Sequence, residues 1–204
     1  MRAATLDQRI AGVSYGWEGE RNNSQSVQRV SGTVVRRNLA SLWGIVGGTG
    51  LVVVNDTAVD SRFFSLARRA TITTPPTGGT SWWTNVALPT VSVGDVYVYQ
   101  VRVSSDLTVV NVNLGGGNAP EYTRTMISDV DHGDGTRTLA YKLTINKAST
   151  NMTPNIILLL NLVNVAAGTV FLAGECCIEK TSVVGDFFDG DTAVNAATIN
   201  GVAL

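Results

Sequence analysis

Histidine occurs once, at His132, between Asp131 and Asp134. An Asp-His pair can act as a base, but the nearby hydroxyls, Ser128 and Thr136, lack nucleophile-elbow context. Zinc sites of the His-rich kinds need two or three imidazoles, so His132 is read as a surface turn residue. The acids offer two further chemistries. Glu175 and Glu179 fall on one strand face, and a carboxylate glycosidase needs two such groups about 5 to 9 Å apart across a cleft. Asp186, Asp189 and Asp191 bring hard oxygen ligands together as calcium prefers, without the spacing or distal glutamate of an EF-hand. A turn whose carboxylates cap backbone amides accounts for the same residues. Aromatic rings are the third chemistry. Trp82 and Trp83 are adjacent, so one ring should face the core and the other outward, where it could stack on a sugar. Tyr97 and Tyr99 share a face and could extend that platform; core or interface anchoring is the alternative reading of all four rings.

Composition narrows what these residues can serve. The 204 residues hold 15 Lys plus Arg and 16 Asp plus Glu, a formal net charge of -1, and only 15% are charged. Clustered cations for a phosphate backbone are missing, so no nucleic-acid partner is expected. Arg36-Arg37 and Arg68-Arg69 are too isolated to form a basic stripe. The 2 cysteines are neighbours, Cys176 and Cys177, which excludes a long-range disulfide within the chain and suits thiols packed as small hydrophobes in a reducing compartment. Positions 1–14 contain no apolar run resembling a signal peptide. The most apolar stretch, 156–165, is interrupted by Asn161 and Asn164 and falls short of the ~20 residues that cross a bilayer. No membrane partner is expected, no cofactor other than a calcium ion at the Asp186 cluster, and no enzymatic activity.

The elements that would position these groups are strands. Residues 96–103 alternate strictly, Val96, Val98, Gln100 and Arg102 on one face and Tyr97, Tyr99, Val101 and Val103 on the other, after a turn at Val93-Gly94-Asp95. The turn formers Asp131, Gly133, Asp134 and Gly135 separate 122–130 from 136–145 and predict a hairpin. Further strands are predicted at 26–36, 51–55, 63–73, 82–88, 108–114, 155–165 and 169–179. Helical periodicity is confined to a weak case at 61–69. Gly47-Gly48, Gly78-Gly79 and 115–117 lack the Lys-Ser or Lys-Thr of a phosphate loop and read as bends. The expectation is an all-β chain, a jelly-roll β-sandwich of about ten strands.

Two segments carry more than a fold class. Gly185-Asp186-Phe187-Phe188-Asp189-Gly190-Asp191-Thr192 resembles the signature that closes jelly-roll domains, similar to carbohydrate-binding modules, in minor tail proteins of phages infecting actinobacteria. Tyr15-x-Trp17-x-Gly19-x-x-Asn22-x-Ser24-x-Ser26 resembles the segment that follows that signature in the family. Arg37-Asn38-Leu39 resembles the opening of the family's next domain, and Phe171-Leu172-Ala173-Gly174 its penultimate strand. The chain departs from the family at Ala40-Ser41-Leu42-Trp43-Gly44, where an Asn-Pro-Ser-Phe-Glu-like stretch often stands.

The resemblance implies a non-enzymatic virion protein of the tail, assembled in the host cytoplasm. Its partners would be other tail or virion proteins, further copies of itself and host-envelope glycans. A head decoration or connector protein without sugar binding is the alternative. The resemblance also divides the chain into an N-terminal segment, 1–30, and a jelly-roll domain, 31–204. The closing hairpin is split between the two ends. Tyr15, Trp17, Gly19, Asn22, Ser24 and Ser26 would close on Phe187 and Phe188, either within one chain or between subunits.

Overall fold

The alternating segments form strands that pair antiparallel throughout. The structure, a computed structural model, describes residues 13–18, 25–31, 33–48, 52–58, 60–63, 67–78, 80–86, 90–115, 121–148, 155–163, 165–188, 198–199 and 202–203. In chain order the strands are β1 (Val13–Trp17), β2 (Ser26–Val30), β3 (Thr33–Asn38), β4 (Ala40–Gly48), β5 (Val52–Ala58), β6 (Ala67–Thr74), β7 (Thr80–Val86) and β8 (Val96–Ser104). They continue with β9 (Val109–Gly115), β10 (Tyr122–Asp131), β11 (Thr136–Ile145), β12 (Asn155–Leu160), β13 (Val170–Glu179), β14 (Thr198–Ile199) and β15 (Val202–Ala203). The described residues contain no helix, so none is long and apolar enough to cross a membrane.

These fifteen strands exceed the ten or so expected, partly because short elements escape periodicity and partly because the run 26–36 is two strands. Ser31 takes a left-handed φ of 47° beside Gly32 and turns the chain between β2 and β3. The boundary expected after residue 30 therefore falls in the turn of a hairpin whose strands pair directly, Val30 opposite Thr33. The weak helical pattern at 61–69 is a turn at residues 60–63 followed by β6.

Two larger sheets carry the architecture. One has six strands in the order β10-β11-β8-β13-β6-β5, the other four in the order β4-β7-β12-β9. The pairings nest, β8 with β11, β7 with β12 and β6 with β13, so late strands return beside early ones. A single core joins the sheets. Ile72, Tyr97, Tyr99, Val101, Leu139, Tyr141, Phe171 and Ile178 come to it from the six-stranded sheet, and Trp82, Val112, Leu114 and Leu160 from the four-stranded one. At roughly 1.5–3 kcal/mol for each large apolar side chain taken from water, this core is the main source of stability.

The opposite face of the six-stranded sheet is covered too, which is why β8 is buried along almost its whole length. Phe63, from the turn at residues 60–63, packs there with Ala67 and Leu172. Elsewhere on that face β3 and residues 185–188 lie against β8 and β13.

Candidate functional site

The three-stranded sheet β1-β2-β3 is where the N-terminal motif sits. Alternation puts Tyr15 and Trp17 on one face of β1, and the register extends each into a row: Trp17, Ser26 and Asn38 in one, Tyr15, Gln28 and Arg36 in the other. Against this face lie the end of β13 and residues 185–188. The split motif thus meets within the chain: the Tyr15 and Phe188 rings are 5.7 Å apart, tilted by 39°. Phe188 is buried, and Phe187 beside it is half-buried.

Arg36 holds this seam together. Its Nε donates to Glu179 Oε1 at 2.9 Å and its Nη2 to Glu179 Oε2 at 2.5 Å. Nη2 also donates to the Asp186 carbonyl at 2.9 Å. The guanidinium lies 4.6 Å from the Phe188 ring centre, in cation-π range. Burial pulls the Arg36 pKa down, but the bonds and charge of Glu179 outweigh it and leave the pKa raised. Burial, and then the charge of Glu179, pushes the Cys177 thiol well up, so it stays protonated and inert. Gly185 is small because Arg36 passes over it: a Cβ there would stand 2.6 Å from Arg36 Nη2.

Asn38 and Gln100 complete the fastening. The Asn38 amide donates to the Cys176 carbonyl at 2.9 Å and the Phe188 carbonyl at 3.3 Å, while its Oδ1 accepts from the Ala40 and Ile178 N–H groups, both at 3.0 Å. Gln100 donates to the Gly185 carbonyl at 2.8 Å, and Gln28 to the Tyr15 hydroxyl at 2.9 Å. Three buried polar atoms on this sheet, Trp17 Nε1, Ser26 Oγ and Gln28 Oε1, have no hydrogen-bond partner among the described residues.

The other expected site residues fare differently. Trp82, Tyr97 and Tyr99 are buried in the shared core, at 2%, 3% and 0% exposure, which removes them from any sugar-stacking surface. The physical reason is that the tyrosine face of β8 turns toward the four-stranded sheet. Trp83 lies in β7 opposite Ile45 and Ile157; its side chain is outside the described residues. Of the acidic cluster, Asp186 is exposed and engages Arg36 through its carbonyl. Asp189 and Asp191 lie outside the described residues, as do Gly19, Asn22 and Ser24. Among the described residues no group of three His, Cys, Asp or Glu side chains is placed to hold a metal ion.

Glu175 and Glu179 do not address a common cleft. Glu179 is bound by Arg36, and Glu175 lies 3.6 Å from Arg102, which also reaches Asp134 at 2.8 Å. His132 is exposed on the β10–β11 turn, with Nε2 2.8 Å from Thr138 Oγ1. Arg36, Gln28 and Gln100 were not singled out as a site from sequence, and Glu179 was weighed only as a glycosidase carboxylate. The one available signal was Arg36 standing directly before the Arg37-Asn38-Leu39 run. Comparison of the chain with protein-family models, with curated proteins and with solved structures gives no match.

Proposed function

We propose that this chain is a non-enzymatic structural component of a phage virion, a minor tail protein built on a jelly-roll β-sandwich and acting in tail assembly. The observation that carries the reading is the seam: Tyr15 and Phe188, residues more than 170 positions apart and from two separate motifs, pack together beside an arginine clamped by Glu179. The nested pairing β6 with β13, β7 with β12 and β8 with β11 supports a jelly roll, in which a long antiparallel ribbon is wrapped into two facing sheets. Burial of Trp82, Tyr97 and Tyr99 moves weight from glycan attachment to assembly.

The test is immunogold labelling of purified particles of the encoding phage with antibody to this chain, alongside mass spectrometry of the virion. Label on the tail is the expected result. Label on the capsid would favour head decoration, and a particle without the chain would overturn both readings.

A further inference from the structure

The six-stranded sheet ends on β10, and among the described residues no strand pairs with its outer edge. A long bare edge is a template for strand addition, which proteins block with Lys, Pro or bulges. β10 has ten residues, contains neither Lys nor Pro, and displays Met126, Ile127 and Val130 at 49%, 40% and 48% exposure. It does have a bulge, between Met126 and Ser128. The position of that bulge decides what the edge can accept.

The backbone directions follow from two hydrogen bonds. Asn146 N–H donates to the Glu121 carbonyl at 2.8 Å, and His132 N–H to the Thr136 carbonyl at 3.0 Å. Successive residues turn their backbone groups to opposite sides of a strand. Glu121, Thr123 and Thr125 therefore face β11 before the bulge, and Ser128, Val130 and His132 face it afterwards. Tyr122, Arg124, Asp129 and Asp131 turn their N–H and C=O groups outward.

We propose that a second copy of this chain pairs with that edge, β10 against β10 and antiparallel, across a two-fold axis at the bulge. In the register that engages all ten residues, Tyr122 faces Asp131 of the second copy, Thr123 faces Val130, Arg124 faces Asp129, Thr125 faces Ser128 and Met126 faces Ile127. A regular strand forbids this register, because residues an odd number apart point their backbone groups to opposite sides. The bulge supplies the odd residue, and outward groups then meet outward groups on both sides of the axis.

The three pairs nearest the axis are also chemically matched: opposite charges, two hydroxyls and two apolar chains, each occurring twice by symmetry. Registers confined to half of the strand set Arg124 against Arg124, or Asp129 against Asp131, and like charges directly opposite are destabilising. Arg124 is held at the rim, its Nη1 donating to the Val112 carbonyl at 2.7 Å, and Asp129 lies 3.4 Å from Arg137. The contact joins two six-stranded sheets into one. It is separate from the seam and does not depend on the virion reading.

The test uses the full chain. Thr125 and Ser128 of the second copy form a non-hydrogen-bonded pair with Cα atoms about 4.5 Å apart, which a disulfide can span. A mixture of the Thr125→Cys and Ser128→Cys proteins under mild oxidation should give a covalent mixed dimer, whereas either variant alone should not; the native Cys176 and Cys177 are buried. In sedimentation, Asp129→Arg should weaken the dimer by about tenfold, and adding Arg124→Asp should restore it. A wild-type chain that stays monomeric at about 1 mM, the weak end of specific association, overturns the proposal. So does a dimer that survives Asp129→Arg and forms no mixed disulfide, since its contact would lie elsewhere.

Discussion

Asn38 does with one side chain what a strand does with its backbone. It is 3% exposed, and its amide serves two carbonyls and two N–H groups from three parts of the chain. Asn38→Ala leaves those four groups without this partner. At about 1–3 kcal/mol for each orphaned group, offset by relaxation, the expected loss is roughly 2–4 kcal/mol, read from urea unfolding. A loss under about 1 kcal/mol would mean that water replaces the amide. The Arg-Asn-Leu match marked this residue, but its bonds reach 138 and 150 positions along the chain, beyond any local pattern. Tyr97 and Tyr99 teach the complementary lesson. Alternation correctly gave them a common face, yet on a central strand covered on both sides it does not say which face meets which layer.

At the scale of elements, the bulge in β13 shapes the outer face of its sheet. The register with β8 shifts between Gly174 and Cys177, and Glu175 takes a left-handed φ of 49°. This sets Gly174 beneath the Phe63 ring, where a Cβ would lie 2.9 Å from Phe63 Cδ1 and 3.3 Å from the Ala67 Cα. Gly174→Ala should therefore cost about 1–3 kcal/mol through overpacking, measured by thermal unfolding, and Phe63→Leu in the same chain should recover part of it. The β10–β11 hairpin was legible because its signals are adjacent in sequence: Asp131 Oδ1 accepts from Gly133 N–H at 2.8 Å and Asp134 Oδ1 from Thr136 N–H at 3.0 Å. The turn between β2 and β3 was missed because Ser31-Gly32 is a short signal inside a long β-forming run.

For the whole molecule, stability should form a plateau with two limbs. Asp60 is held down to about 2, chiefly by hydrogen bonds from the Arg62 side chain and N–H. Its contribution is complete above the unfolded carboxylate pKa of about 4 and is lost as pH falls through about 2. Tyr97 is pushed up to about 12 by burial and by Asp95, so its contribution is complete below the unfolded value of about 10 and is lost as pH rises through about 12. Melting temperatures followed by circular dichroism should fall at both ends, with Asp60→Asn flattening the acid limb and Tyr97→Phe the alkaline one. An all-β chain was legible from the two-residue period, but the order of strands was not, because most partners in the two large sheets lie far apart in sequence. That nesting also fixes a timetable. β13 belongs between β6 and β8, so a chain leaving the ribosome holds both of those edges bare until Val170–Glu179 has emerged. Such late, non-local closure folds in milliseconds to seconds rather than microseconds. Until then the nascent sheet can join to a neighbouring chain as readily as to itself.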